Sequence, residues 1–357
     1  MAKMFPEWPP LNHSHLSRYL ADYSDSALSA LLQKAKPMHE GVGGSSSLIE
    51  IDGHKVFAKK IPLTDLERSS ENFLSTANLF HLPMFYQYRL GSAGFGAWRE
   101  LTAHKITTEW ALSGECSNFP LLYHWRVIEC DKPQAMTTRE VEDLNIAVEY
   151  WDDSQAVRQR LEALHGASAH LVLFLQYIPQ TLDDWLSVEL NKDRASADAA
   201  VTLVESQFTS VSSFFRDNGF VHFDPHFKNI LCDSNLYYGD FGLALSSQFD
   251  LEQEEEDFLQ RHHSYDRAVC IVSLIQSLML CFYGKGRWIE HLTALCANDQ
   301  LSPAKMSPQI ESTIKRYAPI AFSLYDFYQQ LQNETKSAIY QAQEIERMLK
   351  EIDDGNN

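Results

Sequence analysis

The chain predicts an α+β protein in two parts, a strand-rich first half and a helical second half. Two observations carry this. Before residue 178, short β-type runs punctuated by turn signals dominate; after it, apolar residues recur at helical spacing. One polar stretch in the helical half, "HFDPHFKNIL" (222–231) followed by "GDFGLA" (239–244), breaks that pattern.

The elements follow in chain order. Residues 1–40 form a Pro-rich N-terminal extension ending in the helical run "DSALSALLQKAKPM". In "GVGGSSSLIEIDGHKVFAKKIPL" (41–63), the runs "SLIEI" and "KVFAKKI" flank Asp52-Gly53, a strong hairpin signal. "AWRELTAHKITTEWAL" reads as a helix with Ala103, Ile106 and Trp110 on one stripe and Glu100 at its edge. Strands are expected at 119–129 and 170–178, separated by a polar helical segment, 131–168. Beyond the connection "PQTLDDWL", Val201, Val204, Phe208, Val211 and Phe215 mark a long amphipathic helix. The expected division is an extension (1–40), a first part with the helical insertion (41–178) and a helical remainder (179–357).

The totals exclude several function classes. Of 357 residues, 45% are hydrophobic, enough for a sizeable core. The 48 acidic residues exceed the 30 basic ones, giving a formal charge of −18 that repels phosphate backbones, so nucleic acid is not the expected partner. The six cysteines, 116, 130, 232, 270, 281 and 296, show no CxxC spacing and read as reduced thiols. The N-terminus lacks an apolar signal core, and "AVCIVSLIQSLMLCFYG" (268–284), interrupted by Ser and Gln, reads as a buried helix. A cytoplasmic protein without a membrane partner is expected.

The polar stretch gains meaning from the order of parts around it. A glycine-rich turn enters a hairpin whose second strand carries a lysine. A glutamate follows on a helix, then H-x-D-x-x-x-x-N, then D-F-G. Over roughly residues 40–285 the chain resembles the protein-kinase superfamily, near its aminoglycoside-phosphotransferase and choline-kinase branch. The resemblance implies a bilobal protein-kinase-like fold, with an antiparallel-sheet N-lobe and a mainly helical C-lobe. It also implies ATP and Mg²⁺ as cofactors and transfer of the γ-phosphate to a hydroxyl of a protein or small molecule.

Residue by residue, "GVGGSSSL" is similar to the phosphate loop, with Gly41, Gly43, Gly44, Ser45 and Ser46 at the nucleotide, where glycines let backbone N–H groups approach phosphates. "VFAKKI" resembles the strand that carries the ATP lysine. Its apolar triplet puts Lys59 on the phosphates, with Lys60 as the alternative because it shares the face of Ala58. The carboxylate that holds the lysine is Glu100, whose helix directly precedes a strand; Glu67 and Glu71 are nearer in sequence. Gln176, Tyr177 and Ile178 end the strand that contacts the nucleotide in the family. Asp224 matches the base that accepts or orients the acceptor hydroxyl, and Asn229 and Asp240 match the Mg²⁺ ligands. His222 props the loop, and Asp266 matches the residue that braces it.

Three departures matter. Phe223 stands where regulated kinases carry an Arg for a loop phosphate, and "SSQFDLEQEEEDFLQ" (246–260) is acidic, which argues against switching by phosphorylation. His226 occupies a position that is often lysine, and no A-P-E follows. The charged residues of 131–168 read as a solvated decoration, and His262-His263 as packing or surface residues. A catalytically inactive or nucleotidyl-transferring, pseudokinase-type ATP-binding module is the alternative.

Overall fold

Five strands and the helices that cover them build the first unit, residues 1–178 together with 240–255. The computed structural model describes residues 13–41, 43–130, 135–233, 235–284, 286–297, 303 and 305–355. The Pro-rich start, Val42 of the glycine turn and the first residues of the 131–168 segment lie outside them. The sheet is antiparallel, in the order β1-β2-β3-β5-β4, built from Lys36–Gly41 (β1), Gly44–Ile51 (β2), His54–Leu63 (β3), Leu122–Glu129 (β4) and Ala169–Gln176 (β5).

Asp52 and Gly53, both at positive φ, close the β2–β3 hairpin with Ile51 opposite His54. Strand β1 corrects the reading of 1–40 as an extension. The helix after Ser24 stops at Gln33, and Lys36 to Gly41 pair with Leu48 to Gly44 as the sheet's edge. "KPMHEG" has neither alternation nor β-branched residues, so only its neighbour makes it a strand.

The two faces of the sheet are covered differently, and this places the site. Leu16, Leu20, Leu28 and Leu32, from the helices His13–Ala21 and Asp25–Gln33, pack with Ile49, Ile51, Val56, Ala58, Val172 and Phe174. On the opposite face Ile61, Leu63, Leu171, Leu173 and Leu175 pack with Ala97, Trp98 and Leu101 of the helix Ala97–Ser113. Each large apolar side chain so buried contributes about 1.5–3 kcal/mol. A third cluster joins Phe80, Leu82, Tyr86 and Phe95 to Trp151 and Val157. The 131–168 segment, helical at Thr138–Tyr150 and Gln155–His165, thus contributes to the core.

The second unit, residues 179–239 and 256–357, is mainly helical. It contains a small sheet of Gln180–Thr181, Ile230–Cys232 and Leu236–Tyr238. "TLDDW" begins a helix, Leu182–Leu190, capped by Thr181, rather than a connection. The long helix runs from Arg194 to Asp217 and buries Val201, Val204, Phe208, Val211 and Phe215. Tyr265–Tyr283 is long and apolar enough to cross a membrane, but 72% of its most apolar window is buried inside the protein. The last helix, Ala342–Gly355, is tied back by a bidentate pair, Arg267 to Asp353 at 2.8 and 2.5 Å.

Candidate functional site

In the first unit, alternation along β3 decides which lysine does what. Lys59 shares a face with Phe57 and Ile61, the face against the helix Ala97–Ser113. Its ammonium donates to Glu100 Oε1 and to Asp240 Oδ1, each at 2.6 Å. Lys60 points to the other face, where burial first and the Lys60 charge second lower the pKa of His170. Glu67 does not reach Lys59; its carboxylate is engaged by Thr64, Ala97 and Arg160.

Burial alone would lower the Lys59 pKa, but the carboxylates of Asp240 and Glu100 outweigh it and hold the ammonium charged. Burial pushes Glu100 up to about 6 even though Lys59 pulls it down. The lysine side chain is 12% exposed and that of Glu100 4%, whereas Asp240 is half exposed. Asp240 sits at φ +59. Phe241 beside it is buried, its ring 4.9 Å from that of His104 and edge-on.

The glycine turn lies over the lysine. A Cβ on Gly43 would come within 4.0 Å of Lys59 Nζ, and one on Gly44, at φ +119, would collide with the Lys60 carbonyl at 2.1 Å. Gly44 therefore admits no side chain. Gly41 pairs with Gly44, Ser45 lies opposite Lys60 and Ser46 opposite Lys59. At the end of β5, Gln176 exchanges hydrogen bonds with the backbone of Leu121, Lys55 lies over the Tyr177 ring at 5.7 Å, and Ile178 is buried.

The second unit holds the other constellation. Asn229 Nδ2 donates to the carbonyl of Asp224 at 3.1 Å and to its carboxylate at 3.0 Å. His222, fully buried, pairs through Nε2 with the Gly239 carbonyl at 2.8 Å and accepts the Asp224 N–H at Nδ1. It holds the loop from within. Asp266 accepts the N–H groups of His222 and Phe223 at 2.7 and 3.0 Å, and burial pushes it up to about 7 against those two donors. Phe223, at φ +64, packs its ring against Phe258, His262 and Tyr265. His262 is a packing residue, held far below its ordinary pKa, at about 3, by burial. His226 Nε2 lies 3.7 Å from Asp224 Oδ1.

Sequence reasoning passed over two further residues, Arg99 and Arg160. Arg99 donates to the Thr76 carbonyl and to Glu255 Oε1, each at 2.6 Å, and both charged side chains are almost wholly buried. Arg160, read as part of a solvated decoration, is 1% exposed and pairs with Glu67 at 2.9 Å. A signal for it existed: Val157, Arg160 and Leu161 fall on the inward stripe of their helix, and Thr64-x-x-Glu67 is a capping box.

The donor types suit a nucleotide and a hard cation: an ammonium, a half-exposed carboxylate and a side-chain-free turn. Among the described residues, no group of three or more His, Cys, Asp or Glu is gathered to hold a metal alone. No known protein-family profile matches the chain, and no curated protein does either.

Proposed function

We propose that this chain is an ATP- and Mg²⁺-dependent phosphotransferase of the bilobal protein-kinase-like fold, acting on a hydroxyl of a protein or small molecule. One observation carries the reading: a buried lysine clamped at 2.6 Å by two carboxylates, Glu100 from a helix and Asp240 from "DFG", under a glycine turn. A surface lysine pair on an exposed strand needs none of these features.

Each residue then has a task. Lys59 supplies the fixed positive charge for the phosphates, and Glu100 keeps it extended toward them. In the first unit Asp240 would offer a carboxylate oxygen to Mg²⁺, and in the second unit Asn229 is the residue that matches a ligand by resemblance; the ion would neutralise charge on the triphosphate when bound. Asp224, its carboxylate oriented by Asn229, takes or orients the acceptor hydroxyl's proton. The half-exposed Asp240 can exchange Lys59 for a cation without opening the core.

Thermal melting with Mg·ATP tests this. Nucleotide binding to the folded state raises the Tm through linkage, and Lys59→Met or Asp240→Ala removes most of the rise. Equal shifts in wild type and both variants contradict the assignment.

A further inference from the structure

Arg160 lies on the helix Gln155–His165, is 1% exposed, and spends its guanidinium on two partners. Nη1 donates to Glu67 Oε2 at 2.9 Å and Nε to the Gly94 carbonyl at 3.4 Å, with the Phe80 ring centroid 5.1 Å from the guanidinium carbon. A buried cation persists only when its partners are fixed, so what those partners hold defines its role.

Each partner leads to one carboxylate on Lys59. The second oxygen of Glu67, Oε1, accepts the Ala97 N–H at 2.7 Å, and its backbone carbonyl accepts the Trp98 indole at 2.8 Å. These fix the first turn of the helix that carries Glu100. Gly94, at φ +72, abuts Gly242: a Cβ there would lie 2.3 Å from the Gly242 carbonyl oxygen. Gly242 stands two residues after Asp240. From the same 64–96 loop, Gln87 donates to the Leu243 carbonyl and Thr76 to the Asp250 carboxylate. The geometry points to Arg160 as a positioning residue that sets Glu100 and Asp240 around Lys59, making the inserted helices a built-in support of the site.

Its effect on catalysis rests on the phosphotransferase reading; its effect on the two segments does not. Hydrogen exchange separates them. Arg160→Met raises amide exchange at 97–100 and 240–244 by about tenfold or more, β3 and β5 stay protected, and Arg160→Lys restores most of the loss. A folded Arg160→Met with wild-type exchange in both segments, or with β3 and β5 loosened equally, overturns the role. If Arg160→Met does not fold, Arg160→Lys carries the measurement. One ammonium cannot serve both Glu67 and Gly94 with a guanidinium's geometry, so partial loss at one segment is expected and full wild-type protection at both contradicts it.

Turnover supplies the second readout. Arg160→Met lowers kcat about thirtyfold in wild type and by clearly less in a Glu100→Gln background, where the part that passes through Glu100 is already lost and the part through Asp240 remains. Equal losses in both backgrounds overturn the route through Glu100. A wild type that neither binds Mg·ATP nor transfers phosphate defeats the functional reading instead, and the exchange result still decides Arg160.

Discussion

Lys59 Nζ lies 2.6 Å from Glu100 Oε1, although 41 residues separate them and Glu67 is much nearer in the chain. Sheet alternation explains the choice. Lys59 faces the helix on which Glu100 sits, and Glu67 is consumed by its own capping box and by Arg160.

Under the proposed reading, replacing Asp224 by Asn should leave nucleotide affinity within a few-fold and cut turnover by about a hundredfold, since it would remove only the group proposed to act on the reacting hydroxyl. Asn229 can still hydrogen-bond the new amide oxygen. Activity within a few-fold of wild type contradicts the role.

The pH dependence follows from Glu100. Only its carboxylate form clamps Lys59, so turnover should fall as pH drops through about 6, and Glu100→Gln should show low activity without that limb. Stability runs the other way. The folded pKa is raised, so the stability Glu100 contributes is fully present below its ordinary pKa of about 4.5 and is lost as pH rises through about 6. Matched pH–rate and pH–stability curves for both proteins check both signs.

Glu255 forms a buried ion pair with Arg99 at 2.6 Å. Its pair with Arg99 ties the segment after Asp240 to the helix of Glu100, so Glu255→Ala strands a buried guanidinium and should cost about 3–5 kcal/mol. Wild type freed of phosphate, verified by intact mass, should be fully active. Ser246 and Ser264 are buried, leaving Ser247 as the accessible hydroxyl of the three. Activity lost on dephosphorylation and restored by phosphate at Ser247 contradicts this.

Asp266 braces the 222–224 loop while being pushed up to about 7. Its stability contribution is fully present below its ordinary pKa near 3.8 and lost as pH rises through about 7. Asp266→Asn cannot ionise, so the stability gap between wild type and variant should narrow from pH 5 to pH 8. A gap independent of pH refutes the shift.

The α+β class was legible because hairpin chemistry at Asp52-Gly53 and the repeat Val201 to Phe215 are local signals. The helix–strand order also brought out Glu100, 41 residues from Lys59. What stayed hidden was set by tertiary context. Strand β1 exists because β2 lies beside it, and Gly94 is constrained by the Gly242 carbonyl. Arg160 and Arg99 look like solvated charges in sequence because their partners lie 93 and 156 residues away.

Incubation with γ-labelled and, separately, α-labelled ATP tests the central claim most directly. The account predicts that Mg²⁺-dependent label from the γ position reaches an acceptor hydroxyl, that α label stays in the nucleotide, and that Asp224→Asn nearly abolishes the transfer. Transfer of α label with release of pyrophosphate, or nucleotide binding with no transfer of either label, would contradict it.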